Sequence, residues 1–237
     1  VGAGGGWSPM HDLPGAARRS VGVIAGERRL AALSYAVVDV ETTGTAPGRG
    51  DRITEVAVVV VRDGRVHETF STLVNPERPI PRYITQLTGI SWAMVKDAPS
   101  FREVSDDLRT RLAGHVFVAH NAPFDWGFVT MEMARTGVEG LDNERLCTVR
   151  LARKLLSQLP RRSLDHVTAH YGIVVESRHR ALGDARATAQ VLTHLLDDAF
   201  ARGCDTWDDL DHLLHPGVRR RRRWSALPHS VTDDRSA

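Results

Sequence analysis

Tyr35-Ala36-Val37-Val38-Asp39-Val40-Glu41 sets two carboxylates, two residues apart, at the end of an otherwise apolar run. A near-continuous apolar run of this length predicts a β-strand covered on both faces. Side chains alternate across a strand, so Asp39 and Glu41 point to one face, with Cα atoms roughly 6.5 Å apart. Two such carboxylates repel each other and resist desolvation. A divalent cation removes both objections, and carboxylate oxygens are the donors that Mg²⁺ and Mn²⁺ prefer.

Downstream, residues 52–62 are dense in β-branched side chains and predict a second strand. Asp63-Gly64 is a hairpin signal, which makes 66–74 a third strand, antiparallel to the second. Asn75-Pro76, Pro79 and Pro81 predict a loop, and Leu87-Thr88-Gly89-Ile90 has the form of a helix C-cap at Gly89. Phe101, Val104, Leu108 and Leu112 share a helical stripe. Residues 116–119 predict a short buried strand, 124–135 a helix stopped by Gly137, and 146–149 a last strand. Helices follow over 151–156, over 163–171 with Ser163 as cap, and over 181–201, where Leu182, Ala185, Ala189, Leu192 and Leu196 form the stripe. A meander of strands followed by alternating strands and helices defines an α/β fold. Its mixed sheet combines a three-stranded antiparallel meander with parallel strands, flanked by helices. The expected organisation is a flexible N-terminal arm over 1–32, one domain over 33–203, and a short helix with a basic, disordered tail over 204–237.

The 237-residue chain is 42% hydrophobic and 25% charged, which suits a soluble globular protein with one good core. Its formal net charge is +2, yet 219–223 is a run of five arginines. Such a run is most often a solvated tail, with phosphate contact as the functional reading. Cys147 and Cys204 make neither a disulfide framework nor a zinc pattern, so a reducing, cytoplasmic setting is expected. No apolar run reaches membrane-spanning length, and the N-terminus lacks the pattern of a signal peptide.

Asp125 follows Val118-Ala119-His120-Asn121-Ala122-Pro123-Phe124, where a buried strand gives way to a helix. Pro123 suits the first helical turn, so Asp125 sits near a strand's C-terminal end, where open α/β sheets place their ligands. Asp184 falls in the first turn of the long helix. Its helical neighbours Thr188, Val191 and Leu195 border the apolar stripe, so Asp184 should face the sheet. A lone inward Asp needs a partner, which a metal shared with Asp39 supplies. His179, five residues earlier, lies on the loop before that helix and can swing over the site. A group that titrates near neutrality suits a general base.

Four segments resemble, in order and spacing, the motifs of the DnaQ-like (DEDD) 3′-to-5′ exonucleases. They are Val38-Asp39-Val40-Glu41-Thr42-Thr43-Gly44, Leu87-Thr88-Gly89-Ile90, His120-Asn121-Ala122-Pro123-Phe124-Asp125 and His179-Arg180-Ala181-Leu182-Gly183-Asp184. The interval from His179 to Asp184 is that of the histidine branch, DEDDh. The Glu-Thr-Thr-Gly string is similar to that of the epsilon proofreading subunit of bacterial DNA polymerase III.

The resemblance implies a ribonuclease-H-like fold and two Mg²⁺ or Mn²⁺ ions. Asp39, Glu41 and Asp184 would hold the first ion. Asp39 would bridge to a second, held by Asp125 mainly through water, and His179 would activate the attacking water. Ions roughly 3.5–4 Å apart would stabilise the attacking and leaving oxygens at phosphorus, releasing nucleoside 5′-monophosphates from the 3′ end. Backbone N–H groups around Thr42 and Thr43 would meet the terminal 3′-hydroxyl. Leu87 and Thr88 would pack on the last bases, Phe124 would add an apolar or stacking contact, and His120 and Asn121 are candidates for a phosphate contact. The implied substrate is a single-stranded or frayed DNA 3′ end, in proofreading or repair, with a DNA polymerase as the implied partner. The alternatives are an RNA-trimming member of the superfamily and a catalytically silent nucleic-acid-binding or polymerase-tethering module. Cys147 stands where family members often carry Asp, outside the metal-binding positions.

Two residues stay divided between structure and function. Glu55 interrupts a face otherwise formed by Ile53, Ala57, Val59 and Val61. It is either a charge guarding a sheet edge or a carboxylate supporting metal ligands. His120 divides evenly between substrate contact and packing.

Overall fold

The computed structural model describes residues 28–137 and 140–216. Most of the expected arm, the arginine run at 219–223 and the rest of the tail lie outside the described residues. Five strands form one mixed sheet. β1 (Tyr35–Thr42), β2 (Ile53–Arg62) and β3 (Arg65–Leu73) make the antiparallel meander. β4 (Val116–Ala119) and β5 (Arg145–Cys147) add in parallel beyond β1, giving the order β3-β2-β1-β4-β5. The hairpin turn is built by Asp63 and Gly64 at φ 49° and 69°, the left-handed pair that a tight hairpin needs. β1 is central, which accounts for its apolar sequence. β2 lies between β1 and β3, so Glu55 guards no edge and that reading is corrected.

The helices are α1 (Arg82–Thr88), α2 (Trp92–Val95), α3 (Phe101–Leu112), α4 (Ala122–Thr136), α5 (Thr148–Leu155), α6 (Leu164–Tyr171), α7 (Ala181–Ala201) and α8 (Trp207–Leu214). Strand alternation divides the core in two. Tyr35, Val37, Ala57, Val59 and Val61 pack with α5, α6 and α7, while Ala36, Val38, Val40, Val56, Val58 and Val60 pack with α3 and α4. Asp39 and Glu41 continue the Tyr35, Val37 series and so emerge on the α7 side, as does Glu55 ahead of Ala57.

α7 has the predicted bounds, but its buried face is rotated from the expected stripe. Asp184, Ala185, Thr188, Ala189, Val191, Leu192 and Leu195 are buried, whereas Leu182 and Leu196 of the expected stripe are only half-buried. Alanine and leucine are spread widely around this helix, so packing against the sheet, not the sequence, chooses the central line. α1 ends as expected at Gly89, whose φ of 72° is left-handed and whose N–H donates to Thr85 O. Segments flanking the expected domain also join it. Leu30 N–H donates to Asp205 O at 2.8 Å and Trp207 N–H to Arg28 O at 2.9 Å. Leu30, Trp207 and Leu210 are buried in the α7-side core. No helix among the described residues is long and apolar enough to cross a membrane.

Candidate active site

Asp39 and Glu41 leave the C-terminal half of β1, and Asp184 the first turn of α7. Each offers a carboxylate oxygen within 4.8 Å of the other two. β4 pairs with β1 only as far as Val37, beyond which Asp125 supplies an acceptor. Asp125, 4% exposed in the first turn of α4, accepts the Val40 N–H on Oδ1 at 3.2 Å. This contact brings its charge beside Asp39 and Glu41.

The electrostatic strain is large. Burial, then Asp125, Asp184 and Glu41, push Asp39 well above the usual carboxylate range. Burial, then Asp184 and Glu55, push Glu41 up to about 7. Asp125 rises to about 8, chiefly through burial and against its backbone hydrogen bonds. Arg178 answers part of this charge. Its Nη1 donates to Asp184 Oδ2 at 2.5 Å and its Nε to Asp165 Oδ1 at 2.6 Å. Asp184 Oδ2 also accepts the His179 N–H at 3.3 Å. Asp184 Oδ1 is buried with no hydrogen-bond partner. An orphaned oxygen among acids that hold their protons too tightly is completed by a hard divalent cation, so these residues fit Mg²⁺ or Mn²⁺.

His179 stands exposed on the loop before α7, at a left-handed φ of 59°. The loop after β1 is folded around Asp51. Thr42 Oγ1 donates to Gly44 O at 2.6 Å and Thr43 Oγ1 to Asp51 Oδ1 at 3.3 Å. Gly44 makes room for this: a Cβ there would lie 2.3 Å from the Asp51 carboxylate. The Thr43 N–H donates to Arg52 O at 2.8 Å. It is therefore engaged in the loop.

Leu87 is 54% exposed on α1, whereas Thr88 is buried, donating to Ile84 O and accepting the Ile90 N–H. Of the pair, Leu87 offers surface and Thr88 closes the helix. Phe124 is half-buried against Phe128, with ring centroids 5.0 Å apart. Asn121 is exposed at the N-cap of α4, with φ 88°. The His120 ring nitrogens lie 2.9 Å from Thr148 Oγ1 and 2.9 Å from Arg162 O. Burial pushes this imidazole down to about 4, so it is neutral. With both nitrogens engaged inside, His120 pins β4 to α5 and to the loop before α6.

Three neighbours complete the site. Glu55, 3% exposed, accepts from Arg180 Nε at 3.0 Å, Arg180 Nη2 at 2.7 Å and Ala181 N–H at 2.9 Å. Of the two readings of Glu55, the supporting carboxylate is the one this placement matches. Sequence reasoning missed Arg178 and Arg180; the available signal was an arginine on each side of a loop histidine close to an inward Asp.

A mixed sheet with a carboxylate cluster at the end of its central strand defines the ribonuclease-H-like nuclease class. The chain belongs to the DnaQ-like (DEDD) exonucleases: the exonuclease family model RNase_T matches residues 36–192. It is 35% identical over 199 residues to the 3′-5′ exonuclease DinG of Bacillus subtilis (strain 168), covering 84% of this chain and 20% of that protein. It is 42% identical over 185 residues to a DNA polymerase III subunit epsilon-like protein of Rhodobacter capsulatus, covering 76% of this chain and 26% of that protein. The chain thus spans only a minor part of these relatives' length. Among solved structures, Exonuclease X in complex with 5′ overhanging duplex DNA matches with a TM-score of 0.59 at 28% identity, covering 77% of this chain and 99% of that one.

Proposed function

We propose that this chain is a metal-dependent 3′-to-5′ exonuclease that removes nucleoside 5′-monophosphates from single-stranded or frayed DNA 3′ ends. The convergence of Asp39, Glu41 and Asp184 within 4.8 Å, with a buried oxygen of Asp184 unpartnered, carries the reading. Asp39, Glu41 and Asp184 would hold one Mg²⁺ or Mn²⁺, and Asp125 with Asp39 a second. When bound, such a pair neutralises charge on the attacking and leaving oxygens at phosphorus. A ring nitrogen of His179 takes the proton of the attacking water, and its exposed position lets that proton pass on to solvent. Asp125 is oriented by the Val40 N–H. Leu87 and Phe124 offer apolar surface to the terminal bases. The epsilon-like relative and the DNA in the Exonuclease X complex support DNA as substrate. A DNA polymerase partner and a cytoplasmic setting go with that reading.

The test uses 3′-labelled and 5′-labelled DNA and RNA oligomers, single- and double-stranded, with Mg²⁺, Mn²⁺ or EDTA. The 3′ label should leave at once as mononucleotide, the 5′-labelled strand should shorten stepwise, and EDTA should stop both. DNA should be cut faster than RNA; the opposite order reassigns the substrate to RNA. Unimpaired trimming by an Asp39→Ala protein would overturn the enzyme reading.

A further inference from the structure

We infer that Arg180, anchored on Glu55, is a positioning residue for His179: the ion pair sets where the exposed base stands relative to the carboxylates. The inference rests on His179 acting as the base in the proposed reaction. Glu55 lies directly opposite Glu41 in the β1–β2 register and faces α7, yet it is not one of the three converging acids. Its oxygens are engaged by the fork of Arg180, at 2.7 and 3.0 Å, and by the Ala181 N–H at 2.9 Å. A guanidinium held in two-point contact with a carboxylate is fixed in direction as well as distance. Residues 180 and 181 are thereby tied to β2, one and two positions beyond the base.

The other side of His179 is tied as firmly. Its N–H donates to Asp184 Oδ2, and Arg178 spans Asp165 and Asp184. Gly183 lets the loop lie against the first turn of α7, since a Cβ there would come within 2.1 Å of Glu176 O and 2.5 Å of Ser177 O. Ser177 and His179 both hold left-handed backbone, at φ 55° and 59°, which residues other than glycine seldom adopt without constraint. His179 therefore has an exposed ring on a fixed root. A general base must stand within reach of its proton, and a small misplacement is expensive in rate. Glu55 has a second task, capping α7 through the Ala181 N–H, so the test goes through Arg180.

The experiment compares Arg180→Ala, Arg180→Lys, His179→Ala and the double variant Arg180→Ala/His179→Ala in the full chain. Arg180→Ala should lower kcat at least tenfold at saturating Mn²⁺, with KM within twofold of the parent. Arg180→Lys, which keeps the charge, should recover part of the loss. The double variant should be no slower than His179→Ala alone, because Arg180 acts through that histidine. In metal-free protein, hydrogen exchange at 177–181 should rise in Arg180→Ala while β1 and β2 keep their protection. The inference is overturned if Arg180→Ala turns over within twofold of the parent, or slows the His179→Ala background as much as it slows the parent. A His179→Ala protein as fast as the parent would remove the base assignment too; a slow one beside an unimpaired Arg180→Ala rejects positioning alone.

Discussion

Glu41 on β1 and Glu55 on β2 are direct cross-strand partners facing one helix, and they meet different fates. Arg180 pairs with Glu55, whereas burial, then Asp184 and Glu55, push Glu41 up to about 7. Like charges placed opposite each other weaken a sheet. The metal-free protein thus carries a repulsion at the place where the proposed chemistry puts a cation.

Neutralising one acid should therefore stabilise the metal-free protein while abolishing the metal response. Asp39→Asn is expected to raise the metal-free Tm by about 2–6 °C and to lose the further rise that Mn²⁺ gives the parent. Thermal melts with and without Mn²⁺ check this; a metal-free Tm below the parent's contradicts it.

The same groups set a pH dependence. Glu41 at about 7 and Asp125 at about 8 hold protons more tightly in the folded than in the unfolded chain. Their folded-state pKa values are raised acids, so stability falls as pH rises through that range. Between about pH 5 and pH 8 the metal-free Tm should fall while Mn²⁺ affinity climbs, because ligands must lose their protons. Asp125→Asn should flatten the Tm slope, and an unchanged slope would refute the assignment.

His179→Ala should lower turnover on the order of 10²–10⁴-fold and leave Mn²⁺ affinity unchanged by calorimetry. The reverse pattern would make His179 a ligand.

His120 is expected to matter for stability and not for substrate. His120→Ala leaves Arg162 O without its imidazole partner and Thr148 Oγ1 with Ala119 O alone, at about 1–3 kcal/mol, with KM for an oligonucleotide unchanged at low temperature. Its folded pKa of about 4 is depressed from 6.5, so its contribution is full above 6.5 and lost as pH falls toward 4. Denaturant titrations at pH 7 and pH 5 should show a smaller difference in the variant than in the parent.

Gly183→Ala should destabilise by about 1–3 kcal/mol through overpacking and lower kcat by shifting the loop under His179, since two carbonyls lie within 2.5 Å of the added Cβ. Gly140→Ala, with nothing within 4 Å, is the neutral control. Equal melts and rates for the two would contradict the close packing.

Periodicity carried much of the fold. The meander, the Asp63-Gly64 turn and the 181–201 helix follow from patterns within a few residues of each other. α2 escaped notice because a single turn is too short for a 3.6-residue period to show. The four acids were legible through spacing and motif order, and the structure gathers Asp39, Glu41 and Asp184, with Asp125 beside them.

The amino-acid order by itself determined which side chains share a strand face, where the long 181–201 helix starts and stops, and that Asp39 and Glu41 cannot sit together comfortably without a counter-charge. Only the tertiary structure decided that Glu55 belongs to Arg180, 125 residues away, that His120 has both nitrogens engaged in the interior, and that the Thr43 N–H is already taken. Alternation and helical period are properties of neighbours along the chain. A hydrogen-bond partner is chosen by whichever distant atom the packed core brings within about 3 Å, and no local pattern records that choice.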